Sequence, residues 1–356
     1  MKNIKKYYNN FIGPLQYMCL VIFLSRSFFI GIGYTNILSI TKNDTLFSIL
    51  ISIIIGFIPI FIIRYLNSKQ INLFELIKSK LIKYLIVLLA LFSFTILFND
   101  IINFINSKYL FNTSKLLLSI IIIMPIIYIV NKDIESIGRS SLLIFYISII
   151  LFSIISISLI KYVDINNLKP MFKTNTNSLI SSVLRIISYS ITPLLLLNII
   201  PKNNDYKEYN KYLLIGYLIS SVSSFIIFFF MNTIYNIEYI SKFNYPAYLA
   251  LQKIEYGFIS NPANILSFFF IIDYFYSLII YMFILKYYLE YELKLKNKLL
   301  NITYYFIIIL ILYISTFMFQ NQTIIHILSN DLVFYVFIIF LSSFIILLPI
   351  TKRVKT

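Results

Sequence analysis

The first long apolar segment of the chain contains the stretch Leu24-Ser-Arg26-Ser-Phe-Phe-Ile-Gly31-Ile-Gly33, which joins a permanent positive charge to two closely spaced glycines. A guanidinium near the middle of a hydrophobic span is costly unless it meets a partner or a polar cavity. Glycine permits backbone conformations that other residues avoid. The stretch therefore predicts a discontinuous membrane helix that binds something, and not a simple anchor.

The composition excludes a soluble protein. Hydrophobic residues make up 60% of the 356 residues, charged residues make up 12%, and the mean hydropathy is +0.86. A soluble domain of this size cannot bury so much apolar surface. Cys19 is the single cysteine, which excludes an intrachain disulfide. The sequence has no phosphate-binding, nucleophile or zinc motif, so we expect no metal, no cofactor and no enzymatic activity.

Ten apolar runs are long enough to cross a bilayer core of about 30 Å at about 1.5 Å per helical residue. They cover residues 11–37, 46–63, 81–104, 113–130, 142–160, 178–200, 213–234, 263–285, 302–319 and 332–350. We therefore predict an all-α polytopic membrane protein with ten transmembrane helices. A single permease-like domain is expected over residues 1–356.

The net charge of +16 is explained by the topology of the chain in the membrane. Lys and Arg concentrate at both termini and in the alternate connections on the same side of the predicted bundle. The positive-inside rule then places both termini in the cytoplasm. This distribution argues against nucleic-acid binding as the reason for the basic charge.

Polar residues inside the spans mark a predicted ligand site, with supporting residues around it. Pro193 lacks an N–H group and should open span 6 about one turn earlier. Tyr245 and Pro246 precede span 8, where Pro246 is suited to start an external helix that either packs on the bundle or acts as a lid. The predicted ligand-binding residues are Ser25, Arg26, Ser27, Gly31, Gly33, Ser188, Tyr189, Ser190, Thr192, Asp273 and Tyr276. The predicted structural or gating residues are Asn99, Asp100, Asn103, Pro193, Tyr245 and Pro246.

Arg26 and Asp273 lie at similar depths in spans 1 and 8. An ion pair between them is the least costly way to keep either group in lipid. The sequence leaves three interpretations open: a static pair that locks two helices, a pair that faces an aqueous cavity and meets a ligand charge, and a neutral Asp273.

The predicted breaks lie in spans 1 and 6, five helices apart. This spacing predicts two inverted five-helix repeats, over about 11–160 and about 178–350, with the first helix of each repeat discontinuous at a midplane site. The N-termini of such half-helices are suited to bind a carboxylate.

Several stretches resemble a known family in order and spacing across nearly the whole chain. They are Gly31-Ile-Gly33, Asn72-Leu-Phe-Glu75, Glu135-Ser-Ile-Gly-Arg139, Asp164-Ile-Asn-Asn-Leu-Lys-Pro170 and Tyr245-Pro246. The third resembles the Glu-x-Ile-Ala-Arg pattern of the spore germination receptor B subunits, a permease-like family of the amino acid–polyamine–organocation superfamily. In span 6, Ser190-Ile-Thr-Pro193 departs from that family's Phe-Pro-Phe-Gly-Glu, so no ligand identity carries over.

The resemblance implies a germinant receptor subunit in the inner membrane of a dormant spore. Its ligand would be a small nutrient such as an amino acid, and its partners would be a larger A subunit and a C-subunit lipoprotein. Two alternatives remain from the sequence. One is an H⁺- or Na⁺-coupled amino acid transporter that uses Asp273 for coupling. The other is an envelope polysaccharide flippase or polymerase, although those proteins usually have more spans or a large external loop.

Overall fold

Helices form most of the regular structure in the part of the chain that the computed structural model describes, and a parallel bridge joins Ile12 and Lys202. The described residues are 11–29, 31–70, 80–132, 134–202, 205–256, 261–295 and 297–318. The α-helices are α1 (Pro14–Arg26), α2 (Ile32–Thr41), α3 (Thr45–Ile55), α4 (Phe57–Ser68), α5 (Lys80–Lys108), α6 (Lys115–Val130), α7 (Ile134–Leu159), α8 (Thr176–Ile186), α9 (Tyr206–Ile234), α10 (Ile237–Ile240), α11 (Pro246–Leu251), α12 (Pro262–Leu266), α13 (Phe268–Tyr287) and α14 (Asn297–Tyr313).

Shorter segments of other helix types interrupt or extend these elements. The 3₁₀ segments are Ser27–Phe29, Lys42–Asp44, Ile160–Tyr162, Ile165–Leu168 and Thr192–Ile199. The π-helical segments are Ile187–Ile191, Tyr288–Glu292 and Ile314–Met318. Such departures from α-helical geometry often mark functional positions in long helices.

Seven helical runs are long and apolar enough to cross a membrane, among the residues that the structure describes. They are Gly33–Ser68, Lys83–Lys108, Ile134–Tyr162, Thr176–Ile199, Tyr206–Ile234, Pro262–Glu292 and Lys298–Phe317. Two shorter apolar helices, Pro14–Phe29 and Lys115–Val130, accompany them. The predicted tenth span, 332–350, lies outside the described residues. The chain is therefore a multi-pass helical membrane protein.

Two predicted span boundaries were wrong because helices continue past their apolar cores. Span 5 was placed at 142–160, but α7 begins at Ile134 and includes the Glu135–Arg139 motif. Glu135 and Arg139 form an exposed ion pair one helical turn apart, which supports that first turn. Span 7 was placed at 213–234, but α9 begins at Tyr206.

The outer face of the bundle is strongly apolar. On α7, Ile150 is 60% exposed and Ile157 is 71% exposed, and on α14 Phe306 and Ile309 are similarly exposed. Exposed apolar surface of this extent requires a lipid environment.

Helix α1 is the central element of the bundle. Every residue from Tyr17 to Arg26 is buried. Helices α7, α9 and α13 pack around α1, and α8 packs against α2 and α3. The first half of the interrupted span is thus surrounded by protein, which is the condition under which a break is tolerated at membrane depth.

Gly33→Ala should destabilise the protein by about 1–3 kcal/mol or more, because overpacking strains the backbone. A Cβ atom at this position would overlap the Phe28 carbonyl oxygen. The matched control is Gly13→Ala, where the nearest heavy atom would lie at an ordinary 3.7 Å. Thermal unfolding of the purified protein in detergent measures both variants. Equal melting temperatures for the two variants would show that the chain does not make this tight turn.

Candidate ligand site at the two broken helices

The predicted interruption of span 1 is present. Helix α1 ends at Arg26, a 3₁₀ turn covers Ser27–Phe29, and α2 begins at Ile32. Gly33 lies so close to the Phe28 carbonyl that a side chain there would overlap it. Gly33 therefore serves the geometry of the break itself.

Serine hydroxyl groups surround the carbonyl end of α1. Ser25 donates to the Ile22 carbonyl at 3.1 Å, and Ser27 donates to the Leu24 carbonyl at 3.2 Å. From α13, Ser277 donates to the Phe23 carbonyl at 3.2 Å. The C-terminal end of a helix carries partial negative charge, so these donors stabilise it. Ser25 and Ser27 were predicted to bind a ligand, but in this structure their hydroxyl groups donate their hydrogens to the backbone.

The ion pair predicted from helix depth is present. Arg26 Nη2 lies 2.7 Å from Asp273 Oδ1, and the two side chains are only 4% and 0% exposed. The same nitrogen donates to Ser148 Oγ at 3.3 Å, and the guanidinium carbon lies 4.7 Å from the Phe269 ring centre. Arg26 thus joins α1 to α7 and α13. The sequence reasoning had not identified Ser148 or Phe269.

The ion pair has a single contact point. Arg26 Nε and Asp273 Oδ2 are both buried, and neither has a hydrogen-bond partner among the residues that the structure describes. A guanidinium and a carboxylate can form two parallel hydrogen bonds, so this pair uses only part of its capacity. One donor and one acceptor remain for another group.

Asp100 lies at the other end of the break. A Cβ atom on Gly31, the N-cap residue of α2, would be 2.7 Å from Asp100 Oδ2. A carboxylate at a helix N-terminus is stabilised by the helix dipole. The Tyr274 hydroxyl donates to this carboxylate, and the Tyr245 hydroxyl donates to the Asp100 carbonyl at 3.1 Å. A protein carboxylate therefore occupies the region where we had expected the carboxylate of a ligand.

Span 6 changes its helix type where Pro193 was predicted to open it. Helix α8 ends at Ile186, a π segment covers Ile187–Ile191, and a 3₁₀ segment containing Pro193 follows. Within the π segment, Ser188 and Ser190 donate to the carbonyls of Leu184 and Ile186 at 2.8 and 2.7 Å. The side chain of Thr192 lies outside the described part of the chain.

The two interruptions meet through aromatic rings. Phe28, in the 3₁₀ turn of span 1, stacks on Tyr189 of the π segment with ring centres 5.4 Å apart. The Tyr189 hydroxyl accepts a hydrogen bond from Asn36 Nδ2 at 3.4 Å. The structure thus brings Tyr189 to the break in span 1, as the ligand-site prediction requires.

Other predicted residues lie away from this meeting point. Tyr276 stacks on Phe23 at 4.8 Å, inside the packing of α1 against α13. Asn99 donates to the Ser315 carbonyl at 2.8 Å, and Asn103 donates to Asn99. These two asparagines therefore face the end of α14. Helix α11 begins at Pro246, as predicted for that proline.

A small cavity opens beside the two breaks, between α1, α3, α9 and the end of α8. Tyr217 lines it together with six serines, which are Ser25, Ser52, Ser190, Ser220, Ser221 and Ser224. We call this space the serine cavity. Its free volume of about 20 Å³ suits a single water-sized group. The serines of α3 and α9 were not predicted, although the run Ser220-Ser-Val-Ser-Ser224 inside an apolar span was a usable signal.

This arrangement defines a class of protein: a multi-pass helical membrane protein with a buried polar centre at two interrupted helices. A spore permease family model, described as a spore germination protein, matches residues 14–325. The chain therefore belongs to the spore germination protein family. No curated protein matches the chain.

Asp273→Asn should destabilise the protein by about 3–5 kcal/mol, because it leaves the Arg26 charge buried without its counterion. The double variant Arg26→Met with Asp273→Asn should lose much less than the losses of Arg26→Met and Asp273→Asn added together. Thermal unfolding in detergent, read as a double-mutant cycle, measures the coupling.

The matched control for this cycle is the exposed pair of Arg139 and Glu135, whose coupling should stay below about 1 kcal/mol. Strictly additive losses at Arg26 and Asp273 would contradict the buried ion pair.

Proposed function

We propose that the chain is the permease-like subunit of a nutrient germinant receptor. It binds a small molecule such as an amino acid at the broken helices and thereby triggers spore germination. Membership of the spore germination protein family supports the role. The main observation that supports a binding site here is that Arg26 and Asp273, at the end of α1, share only one hydrogen-bonded contact.

An amino acid carries a carboxylate and an ammonium group, which can bind the two atoms of this ion pair that have no partner. Arg26 Nε is a donor suited to a carboxylate, and Asp273 Oδ2 is an acceptor suited to an ammonium group. Both atoms are fully buried, so a ligand reaches them only when α13 and α1 separate. The described conformation is then the closed form, in which the protein pairs its own charges.

Signal transmission requires that the ligand prefer one conformation of the bundle. Helix α13 is suited to report binding because consecutive residues serve both ends of the break. Asp273 contacts Arg26, and Tyr274 contacts Asp100. A ligand that draws Asp273 away from Arg26 also shifts Tyr274 against the start of α2.

The helix packing supports two inverted repeats in this proposal. Helix α1 packs on α9, and its counterpart α8 packs on α3. Each interrupted helix thus contacts the second helix of the other half, as expected if the halves are related by a two-fold axis in the membrane plane. The tenth helix of the arrangement would come from residues 332–350.

The proposal places both termini in the cytoplasm and the protein in the spore inner membrane. The basic termini and alternate loops support this orientation. A larger A subunit and a C-subunit lipoprotein are the proposed partners, and the mechanism contains no covalent step.

Arg26→Lys tests the binding site without removing the buried charge. Lysine keeps a cation opposite Asp273 but lacks the Nε donor and the planar fork of arginine. We expect the amino acid concentration for half-maximal germination to rise at least about 10-fold, which corresponds to one lost hydrogen bond to a charged group. The measurement uses spores with normal protein levels and a panel of L-amino acids.

Arg139→Lys is the matched control because Arg139 is 71% exposed. An unchanged dose response for Arg26→Lys would remove Arg26 from the ligand site. Unchanged germination after deletion of the gene would remove the receptor role itself. Concentrative uptake of labelled amino acids into proteoliposomes would identify a transporter instead.

A further inference from the structure

The loop between α7 and α8 presents apolar side chains at its surface. It covers residues 163–175 and contacts the end of the bundle where α2 is followed by α3. Phe172 is 70% exposed and Met171 is 41% exposed, and we call these two residues the apolar tip. The tip follows the motif Asp164-Ile-Asn-Asn-Leu-Lys-Pro170, which the proposed ligand site does not use.

The first half of the loop is attached to the last turn of α9. The Thr233 carbonyl accepts hydrogen bonds from the Asp164 backbone N–H at 3.1 Å and from Asn167 Nδ2 at 2.7 Å. Asp164 Oδ1 in turn accepts from the Asn166 N–H at 2.9 Å. The last carbonyls of a helix have no partner within the helix, so the loop supplies one to α9. This half of the loop is therefore fixed to the bundle.

The second half of the loop is attached to the junction of α2 and α3. The Asp44 carboxylate accepts hydrogen bonds from the backbone N–H groups of Phe172 and Thr174. The Thr174 hydroxyl lies 2.6 Å from Asp44 Oδ2 and 3.0 Å from the Thr41 carbonyl oxygen. Hydrogen bonds to a carboxylate are among the stronger ones in proteins. Both ends of the apolar tip are thus held in place.

The backbone at Phe172 has an unusual conformation. Its φ of 59° lies in the left-handed region, which a bulky residue other than glycine rarely adopts. Such a conformation persists only where the surrounding structure fixes it, and here the Asp44 contacts do so. The side chain that results is exposed, so burial inside the protein does not account for this conformation.

The apolar tip continues the lipid-facing surface of α3. Phe47, Leu50 and Ile54 are 37%, 46% and 71% exposed, and their spacing places them on one face of the helix. Helix α3 belongs to a run that is long and apolar enough to cross a membrane. Phe172 packs edge-on against Phe47, in the first turn of α3, with ring centres 5.5 Å apart. The tip therefore lies at the level where acyl chains meet headgroups.

The charges beside the tip suit lipid headgroups. Lys169 and Lys173 flank the tip, and both are exposed. A lysine side chain can lie along an apolar surface and place its ammonium group among the headgroups. Apolar side chains with basic neighbours are typical of segments that lie in the interface of a membrane. A phospholipid offers both matching parts, namely acyl chains and a phosphate.

We propose that the apolar tip inserts into the lipid leaflet at this end of the bundle, while Lys169 and Lys173 bind headgroup phosphates. The bilayer then holds a loop that is attached to both interrupted spans. One attachment is Asp44, after α2, and the other is Thr176, where α8 begins. This inference does not depend on the proposed germinant, because it concerns lipid alone.

The chain has no tryptophan, so Phe172→Trp introduces a single indole fluorophore. The full chain is reconstituted into vesicles of phosphatidylcholine and phosphatidylglycerol with bromine on the acyl chains, near the headgroup or near the chain end. Bromine near the headgroup should quench the indole at least about 2-fold more, since the acyl boundary lies about 15 Å from the bilayer centre. Acrylamide in the water should quench it weakly. Met171→Trp is a second probe with an ordinary backbone.

Two matched probes calibrate this measurement. Ile150→Trp, at a 60% exposed position on α7, should be quenched most by bromine near the chain ends. Lys242→Trp, at an exposed position between α10 and α11, should be quenched by acrylamide and not by lipid. If both tip probes behave like the Lys242 probe, the tip lies in water and is free for a protein partner, and the proposal is overturned.

Thr174→Val, made together with Phe172→Trp, tests the attachment of the tip. Valine keeps the shape of threonine but removes the hydroxyl between Asp44 and Thr41. Quenching by acrylamide should rise, and the preference for bromine near the headgroup should fall. The matched control is Thr176→Val, because Thr176 is exposed and its hydroxyl donates to Asn175. An unchanged profile in Thr174→Val would overturn the attachment to the interrupted spans.

Discussion

The interruption of the first membrane helix is the constraint on which the rest of the structure depends. A broken helix inside a bilayer leaves a negative end and a positive end without lipid or water to stabilise them. The protein provides its own charges: Arg26 lies at the carbonyl end of α1, and Asp100 lies at the N-terminus of α2. Each charge then needs a partner, which Asp273 and Tyr274 supply from consecutive positions of α13.

In the proposed mechanism, this arrangement links the stability of the protein to ligand binding. The contacts that make the break tolerable are polar, few and concentrated on one helix, so a shift of α13 changes both ends of the break together. The second interruption contributes through the stacking of Phe28 on Tyr189 and through the adjacent serine cavity. In the proposed mechanism, Arg26 and Asp273 pair with each other in one arrangement and with a ligand in another. Two such arrangements favour two discrete conformations, as a sensor or a transporter requires.

Sequence reasoning could predict the features that depend on depth and local chemistry. Hydropathy identified a multi-pass helical protein, similar depth paired Arg26 with Asp273, and glycine or proline located both interruptions. The resemblance of several sequence motifs also indicated the family that the chain belongs to.

Features that depend on how helices are rotated against each other were missed. Asp100 was predicted to be a structural or gating residue, but its position beside Gly31 follows from the packing of α5 and α13 and not from any local pattern. Likewise, Ser52 and Ser224 join Ser25 in one cavity only because α3 and α9 turn their serines toward α1. The starts of α7 and α9 were placed too late because polar first turns extend a helix beyond its apolar core.

The central claim is that a ligand binds the Arg26–Asp273 pair in one orientation, with its carboxylate toward Arg26 and its ammonium group toward Asp273. The variant Arg26→Asp with Asp273→Arg keeps an ion pair between the same helices but reverses its direction. Germination of spores that carry this variant at normal protein level is the most direct measurement. We predict a melting temperature above that of Asp273→Asn together with loss of the amino acid response. A wild-type dose response in the reversed variant would show that the pair only locks two helices together.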